Sequence, residues 1–577
     1  MISQIIKKTL ALFKVGNSNN SSHSPNQLLQ EAMAQHQAGL LQQAEIIYRE
    51  ILAENPNNPD ALHLLGLLAY QVGNNTVAIE YIEKAIGINP SVPDYYNNCG
   101  EAYRASANNE LSIKCYKQAL EINPDFAEAY NNMGNAFKDM GQNEEAIVYY
   151  QKALVIKPDF FQGHYNLGTA LQIVGKLEEA TNHYQNAISI KPDYAEAHNN
   201  LGVALHEIGQ HEQAINHYQN AISIKPDYAE AHNNIGITLQ EIGRHEEATT
   251  HYQEAISLNP DYAEAHFNLS CLYLLLGDFK NGWEEYEWRL KLKNNIEHTR
   301  SFAQPKWSGL PLNGKSILLH AEQGLGDTIQ FIRYVPLVAE AGGKVIVECD
   351  SKLSHLFSNY GDITRFVGRS DDLPEFDFHA SLLSLPSIFK TTLDTIPSAT
   401  NYIHINDDLV KSWGGKLSSL KNNKVGICWQ GSVDNRKDQS RSIPLKCFSN
   451  LFDIPEISFI SLQKGYGQEQ IKEGEYTDTI ADFSSEMDTH EKFIDTSAII
   501  ESLNLVIGVD TATIHLAGAM GKPVWVLLPY SPDWRWMLNT KNTPWYPTMR
   551  LFRQQEPGNW ETVIDEVRIE LDKFITT

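Results

Sequence analysis

Small and apolar residues recur on a fixed ruler through the first half of the chain. A small residue stands at Ala44, Ala78, Ser112, Ala146, Ala180, Ala214, Ala248 and Gly282, and four positions further on a large one, at Tyr48, Ile82, Tyr116, Tyr150, Tyr184, Tyr218, Tyr252 and Tyr286. Glycines at 66, 100, 134, 168, 202 and 236 and prolines at 56, 90, 124, 158, 192, 226 and 260 keep the same spacing of 34 residues. A proline cannot continue a helix, so each one ends a helical unit. Small residues let two antiparallel helices approach, and the tyrosines are expected to wedge between neighbouring units. No unit of this size buries its apolar face alone, so the units must stack into a superhelix whose groove is lined by the first helix of each pair.

The period resembles the tetratricopeptide repeat, which implies eight units over residues 25–296. One polar row shares the ruler: Asn98, Asn132, Asn166, Asn200, Asn234 and Asn268. A side-chain amide both donates and accepts, so such a ladder can pair with the backbone of an extended peptide whatever its sequence. Equally, each amide can bridge adjacent helices of the stack. The repeats are similar to those of protein O-linked N-acetylglucosamine transferases, whose ladder lines the inner face; that resemblance implies a protein or peptide acceptor in the groove.

Near residue 300 the pattern changes to short apolar runs separated by glycine turns. KSILLH (315–320), KVIVEC (344–349), KVGICW (424–429), LVIGVD (505–510) and PVWVLL (523–528) predict strands, with helices between them. Strand, glycine turn, helix, strand is the opening of a doubly wound α/β domain. The expected organisation is a basic segment and linker (1–24), the repeats (25–296), and two Rossmann-like domains (297–415 and 416–577). The turn GLGDTIQ lacks the third glycine of a dinucleotide fingerprint, and neither a phosphate loop nor a nucleophile elbow occurs.

Three segments, PKWSGLPLNGKSILLHAEQGLGDTIQFIRYVPLV, VGICWQGSVDNRKDQSRSIPL and GVDTATIHLAGAMGKPVWVLLPYSPDWRWM, together resemble a family 9 glycosyltransferase of the heptosyltransferase type. The resemblance implies a GT-B fold with acceptor on the first domain and nucleotide-sugar donor on the second, and transfer with inversion and without a metal or other cofactor. Asp327, supported by Gly324 and Gly326, matches the family's loop aspartate, the general base; Asp is also a preferred helix cap, and the two roles are compatible. Asp510, Thr511 and Ala512 stand at a strand-to-helix turn whose amides suit a diphosphate. Asp510 would repel phosphate, so it is expected on a sugar hydroxyl or orienting the turn. His515 matches the family pattern but also fits a satisfied core histidine. Arg441, with Arg436 second, is expected to bear on the leaving diphosphate, unless that loop is merely solvated. Gln463 is a candidate base or ribose contact.

Composition narrows the partners. With 46 basic against 71 acidic residues, the net charge is −25, which disfavours nucleic acid and anionic membranes. No apolar run is long enough to span a bilayer. Six scattered cysteines fit a reducing, cytoplasmic setting. MISQIIKKTLALFKVG is weakly amphipathic but lacks signal-peptide features. The reading is a glycosyltransferase acting on a protein gathered by the repeats. Its competitors are a repeat scaffold with a degenerate transferase half, and a transferase acting on a glycolipid or polysaccharide.

Overall fold

The computed structural model describes residues 25–293, 301–357, 360–398, 401–403, 405–421, 423–432, 438–489 and 493–576. The N-terminal segment 1–24 and Arg436 lie outside them. The chain forms two compact units that part between Ala231 and His232.

The first unit is built of helix pairs, from Pro25–Gln37 with Leu41–Glu54 to Ala195–Glu207 with His211–Ile224. Pro59 and Pro93 sit in the first turn of their helices, where a missing N–H costs nothing. The side chains of Asn58, Asn74 and Asn108 accept hydrogen bonds from exposed amides of the helices they precede. Between the helices of a pair the chain reverses through a left-handed residue. Glycine supplies it at 39, 73, 141, 175 and 209, with φ of +76° to +82°, and Ala107 takes the same region at +58°. This second glycine row also runs on the 34-residue ruler.

The first glycine row has a different cause. A β-carbon built on Gly100, Gly134, Gly168 or Gly202 would lie 2.5–2.8 Å from the ring of Tyr116, Tyr150, Tyr184 or Tyr218. Each tyrosine is fully buried and belongs to the second helix of the same pair. The ring does wedge between units, as expected: it seats on the glycine of its own unit, where only a bare backbone leaves room for it, and Tyr116 packs with Met133 and Ala136 of the following unit.

The second unit begins with further repeat helices, ending in Ala263–Leu275 and Phe279–Tyr286. Its two sheets follow. The first contains β1 (Ser316–His320), β2 (Lys344–Cys349), β3 (Ile363–Gly368) and β4 (Phe378–Ser381), all parallel, in the order β3-β2-β1-β4. The second contains β5 (Asn423–Cys428), β6 (Ile457–Ser461), β7 (Ile480–Ala481), β8 (Leu505–Val509), β9 (Val524–Leu528), β10 (Asn542–Thr543) and β11 (Tyr546–Arg553). Its order is β10-β11-β9-β8-β5-β6-β7, parallel except for the β10–β11 edge pair. β8 and β9 are buried along their whole length, as strands covered on both faces require. The helix expected between β1 and β2 is broken into Leu325–Phe331, a 3-10 turn and Val335–Glu340, with Pro336 in the first turn of the last piece.

The terminal repeat docks on these sheets through aromatic side chains. Trp283 packs edge-on against Trp534 and Trp545 at 5.3 and 6.3 Å, and its indole N–H donates to the Thr391 carbonyl at 3.1 Å. Beside it Arg289, wholly buried, donates to Glu287 at 2.7 Å, Glu322 at 2.6 Å and Ser384 at 2.8 Å. Among the described residues no helix is long and apolar enough to cross a membrane.

Substituting Gly134→Ala forces the Tyr150 ring from its seat, and overpacking of this kind costs about 1–3 kcal/mol. Far-UV circular dichroism during urea unfolding should show the loss in the helical signal. An unchanged midpoint would mean that the ring relocates freely.

Candidate functional site

Each parallel sheet changes winding direction at one point, and ligands of such sheets bind at the carboxyl ends of the two strands that flank it. In the second sheet these are β5 and β8. Gln430, Gly431 and Arg441 gather beyond β5, and Asp510, Thr511 and Ala512 lead from β8 into the helix Ala512–Ala519. A side chain at Gly431 would collide with Asp438 and Arg441, so glycine is what lets this loop close on the strand end. Arg441 Nε donates to Asp438 Oδ1 at 3.1 Å, and about a fifth of its side chain is exposed.

The turn beyond β1 meets the helix beyond β8. A β-carbon at Gly326 would lie 3.1 Å from the His515 ring and 3.4 Å from the Ala512 Cα. The structure thus brings the Gly324–Asp327 turn, at the end of the first sheet, to Ala512 and His515, at the end of the second. Asp327 is not the N-cap expected: Gly324 holds that place, and Asp327, third in the helix Leu325–Phe331, reaches back so that its Oδ2 accepts from the Gly324 N–H at 3.1 Å. Its Oδ1 accepts from Arg535, a partner that the sequence did not single out. Arg535 is nine-tenths buried and also donates to Asp533 at 2.8 Å and to the Gln330 side-chain amide oxygen at 2.7 Å.

Asp510 and His515 form a pair, Oδ1 to Nε2, at 3.4 Å, and the other ring nitrogen, Nδ1, lies 2.9 Å from the Tyr546 hydroxyl. Burial pushes the Asp510 carboxyl up, but His515 above all, with Trp536 and the Arg441 charge, more than offsets this and holds it at about 2. His515 is therefore both a satisfied buried residue and a wall of the crevice. The Thr511 hydroxyl lies 3.6 Å from the Cys428 thiol. Gln463 is spent otherwise than expected. Its carbonyl oxygen accepts from the Trp429 and Gln430 amides, and its NH2 donates to the Gln430 and Tyr466 carbonyls, all at 2.7–3.1 Å. It stitches the ends of β5 and β6 together and keeps no amide group for a ligand.

The asparagine row bridges the stack. Asn98 pairs with His63 at 2.9 Å, and Asn132, Asn166, Asn200 and Asn268 donate to Asn97, Asn131, the Tyr165 hydroxyl and Asn233 at 2.9–3.1 Å. Every acceptor lies 35 residues back, on the first helix of the preceding unit. The amide NH2 groups thus favour the bridging alternative over a ladder left open to a peptide. Asn98 and Asn132 are buried outright; Asn166, Asn200, Asn234 and Asn268 are half-buried and keep an edge at the surface.

Comparison with known proteins agrees with the repeat architecture. The family model described as tetratricopeptide repeat matches residues 29–93 and 127–160, and that described as TPR repeat matches 100–141, 174–209, 204–243 and 238–277. The first half of the chain is an array of tetratricopeptide repeats, a scaffold of the kind that binds protein partners. Protein FlbA of Caulobacter vibrioides is 27% identical over 323 residues, which cover 52% of this chain and 54% of FlbA. The match spans about half the length of that relative. Among solved structures, MamA is 28% identical over 29% of this chain and 96% of its own, with a TM-score of 0.27. YrrB, described as a TPR protein with an unusual peptide-binding site, is 26% identical over 32% of this chain and 96% of its own, with a TM-score of 0.29.

The Asp510–His515 pair has a consequence for acid stability. The folded carboxyl titrates at about 2 against an ordinary 3.8, so its contribution is complete above pH 3.8 and is lost as pH falls toward 2. All ten tryptophans lie beyond residue 282, so their fluorescence reports the second unit alone. The stability advantage over Asp510→Asn in urea should shrink by on the order of 2 kcal/mol between pH 5 and pH 2. A gap that does not move with pH would dissolve the pairing.

Proposed function

We propose that the second unit is a GT-B glycosyltransferase that moves a sugar from a nucleotide-sugar to a protein acceptor gathered by the repeats. One observation carries the reading: the Gly324–Asp327 turn at the end of β1 packs directly on Ala512 and His515 at the end of β8. Two parallel sheets that present their carboxyl ends to one crevice suit a two-substrate transfer. The resemblance to family 9 glycosyltransferases supports the same assignment.

In this reading the amides at Thr511 and Ala512 receive the donor phosphates at the positive end of their helix. Arg441 faces the charge that develops on the leaving nucleotide. The acceptor oxygen bonds to the anomeric carbon as the bond from that carbon to the phosphate oxygen breaks, and Asp327 takes the acceptor proton. To do so Asp327 exchanges Arg535 for the acceptor hydroxyl, while Asp533 continues to hold the guanidinium. Asp510, tied to His515, orients the turn. No metal or other cofactor enters this scheme. The exposed edges of Asn166, Asn200, Asn234 and Asn268 are where the repeats would touch the acceptor. Six free cysteines suit a cytoplasmic setting.

A second reading keeps the repeats as a scaffold and makes the α/β half an assembly surface. It is favoured by the full engagement of Asp327 with Gly324 and Arg535 and by the consumption of Gln463. A glycolipid or polysaccharide acceptor rests on the basic segment 1–24, outside the described residues.

Thermal unfolding followed by tryptophan fluorescence, with ADP-, UDP-, GDP- and CMP-sugars at about 1 mM, separates the two readings, because a ligand that binds only the folded state raises its melting temperature. One donor class should stabilise the second unit. Asp327→Ala should keep that shift and lose nucleotide release to acceptor. Silence with every nucleotide would leave the scaffold.

A further inference from the structure

The first sheet has its own switch point, between β1 and β4, since β2 and β3 lie to one side of β1 and β4 to the other. A cavity of about 500 Å³ opens there. Its volume falls within the roughly 300–1,000 Å³ of small-molecule sites. His320 closes β1 and His379 lies within β4; Phe302 and Trp307 add aromatic wall, and Lys306 and Glu287 are the charged groups that line it.

The charges do not cancel within the cavity. Glu287 is already committed, one oxygen accepting from the buried Arg289 at 2.7 Å and the other from Ser384 at 3.0 Å. Lys306, exposed beside the cavity, remains as a positive charge in a chain whose net charge is −25. His379 is only 8% exposed, and its Nδ1 has no hydrogen-bond partner among the described residues. Burial first, and the Lys306 charge second, lower its pKa, so the ring is neutral near pH 7. Its ring lies 4.7 Å from Phe302 and 5.6 Å from His320. Aromatic rings beside a lysine give the crevice an apolar wall and a positive charge together.

We propose that this cavity binds a carboxylate carried on an aromatic or aliphatic body, at a place separate from the nucleotide crevice of the second sheet. The rings of Phe302, Trp307 and His379 take the body, and Lys306 takes the charge. In an acidic protein the surrounding field repels anions, so this lysine is the group that makes such a ligand acceptable. The same chemistry is offered by a free arylalkanoate and by the C-terminal carboxylate of a peptide ending in an apolar residue. The inference does not require that transfer takes place.

The full chain is titrated by calorimetry with 3-phenylpropionate, with 3-phenylpropanamide, and with acetyl-Ala-Ala-Phe bearing a free carboxylate. The acids should bind and the amide should bind at least about 10-fold more weakly, as loss of a charge-assisted hydrogen bond predicts. Lys306→Gln, on the surface, should weaken the acids by a similar factor and leave the amide unchanged. Ser387→Trp, which fills the cavity from its wall, should abolish binding of all three while the melting temperature stays near wild type. Tighter binding of the peptide than of 3-phenylpropionate assigns the ligand to a polypeptide terminus, and the reverse order assigns it to a free acid. Equal affinity for acid and amide, binding that survives in a folded Ser387→Trp, or no binding at about 10 mM of any acid overturns the proposal.

Discussion

A single buried guanidinium governs how the repeats end and the sheets begin. Arg289 has no exposed surface, and burial works against its charge; Glu322 and Glu287 more than offset that cost. A buried cation persists only when it is fully paired, and breaking such a pair is expensive. Glu322 belongs to the turn beyond β1, and Ser381 and Ser384 stand at and just beyond the end of β4. One side chain of the terminal repeat therefore fixes both strands that flank the first switch point. The Gly324–Asp327 turn follows Glu322 directly, so its position depends on the same contact.

The two switch points divide the chemistry between them. At the second sheet, Arg441 and the Asp510–His515 pair stand beside a helix start. At the first sheet the walls are aromatic, with imidazoles and one lysine. Gly326 joins the two, because only a residue without a side chain lets the turn beyond β1 rest on the helix beyond β8. Arg535 also fastens the junction by holding Asp327.

Several elements were legible before any coordinates. Strands expected at 315–320, 344–349, 424–429, 505–510 and 523–528 appear within a residue of those limits, because continuous apolar runs between turns admit few other structures. β3, β4, β7, β10 and β11 were not foreseen; they are short or mixed in polarity, and their apolar positions carry no clear period. Arg535 and Arg289 escaped for a different reason. Each lies among aromatic residues, where a cation gives no local signal of the carboxylate it will meet, and Asp327 is 208 positions away from Arg535.

The amino-acid sequence by itself determined the 34-residue period, the helix pairs it dictates, and the α/β character of the rest. Local sterics and burial are enough for that: a proline ends a helix, and a glycine admits a tyrosine ring. Tertiary structure alone decided what the polar groups do. It turned the asparagine row into inter-repeat bridges and Gln463 into a stitch between strands. It paired Asp327 with Arg535 and left Nδ1 of His379 without a partner among the described residues. The physical reason is common to all of these: hydrogen bonds and ion pairs are chosen by distance in space, and side chains of identical type at identical spacing acquire different partners once the fold has set what stands beside them.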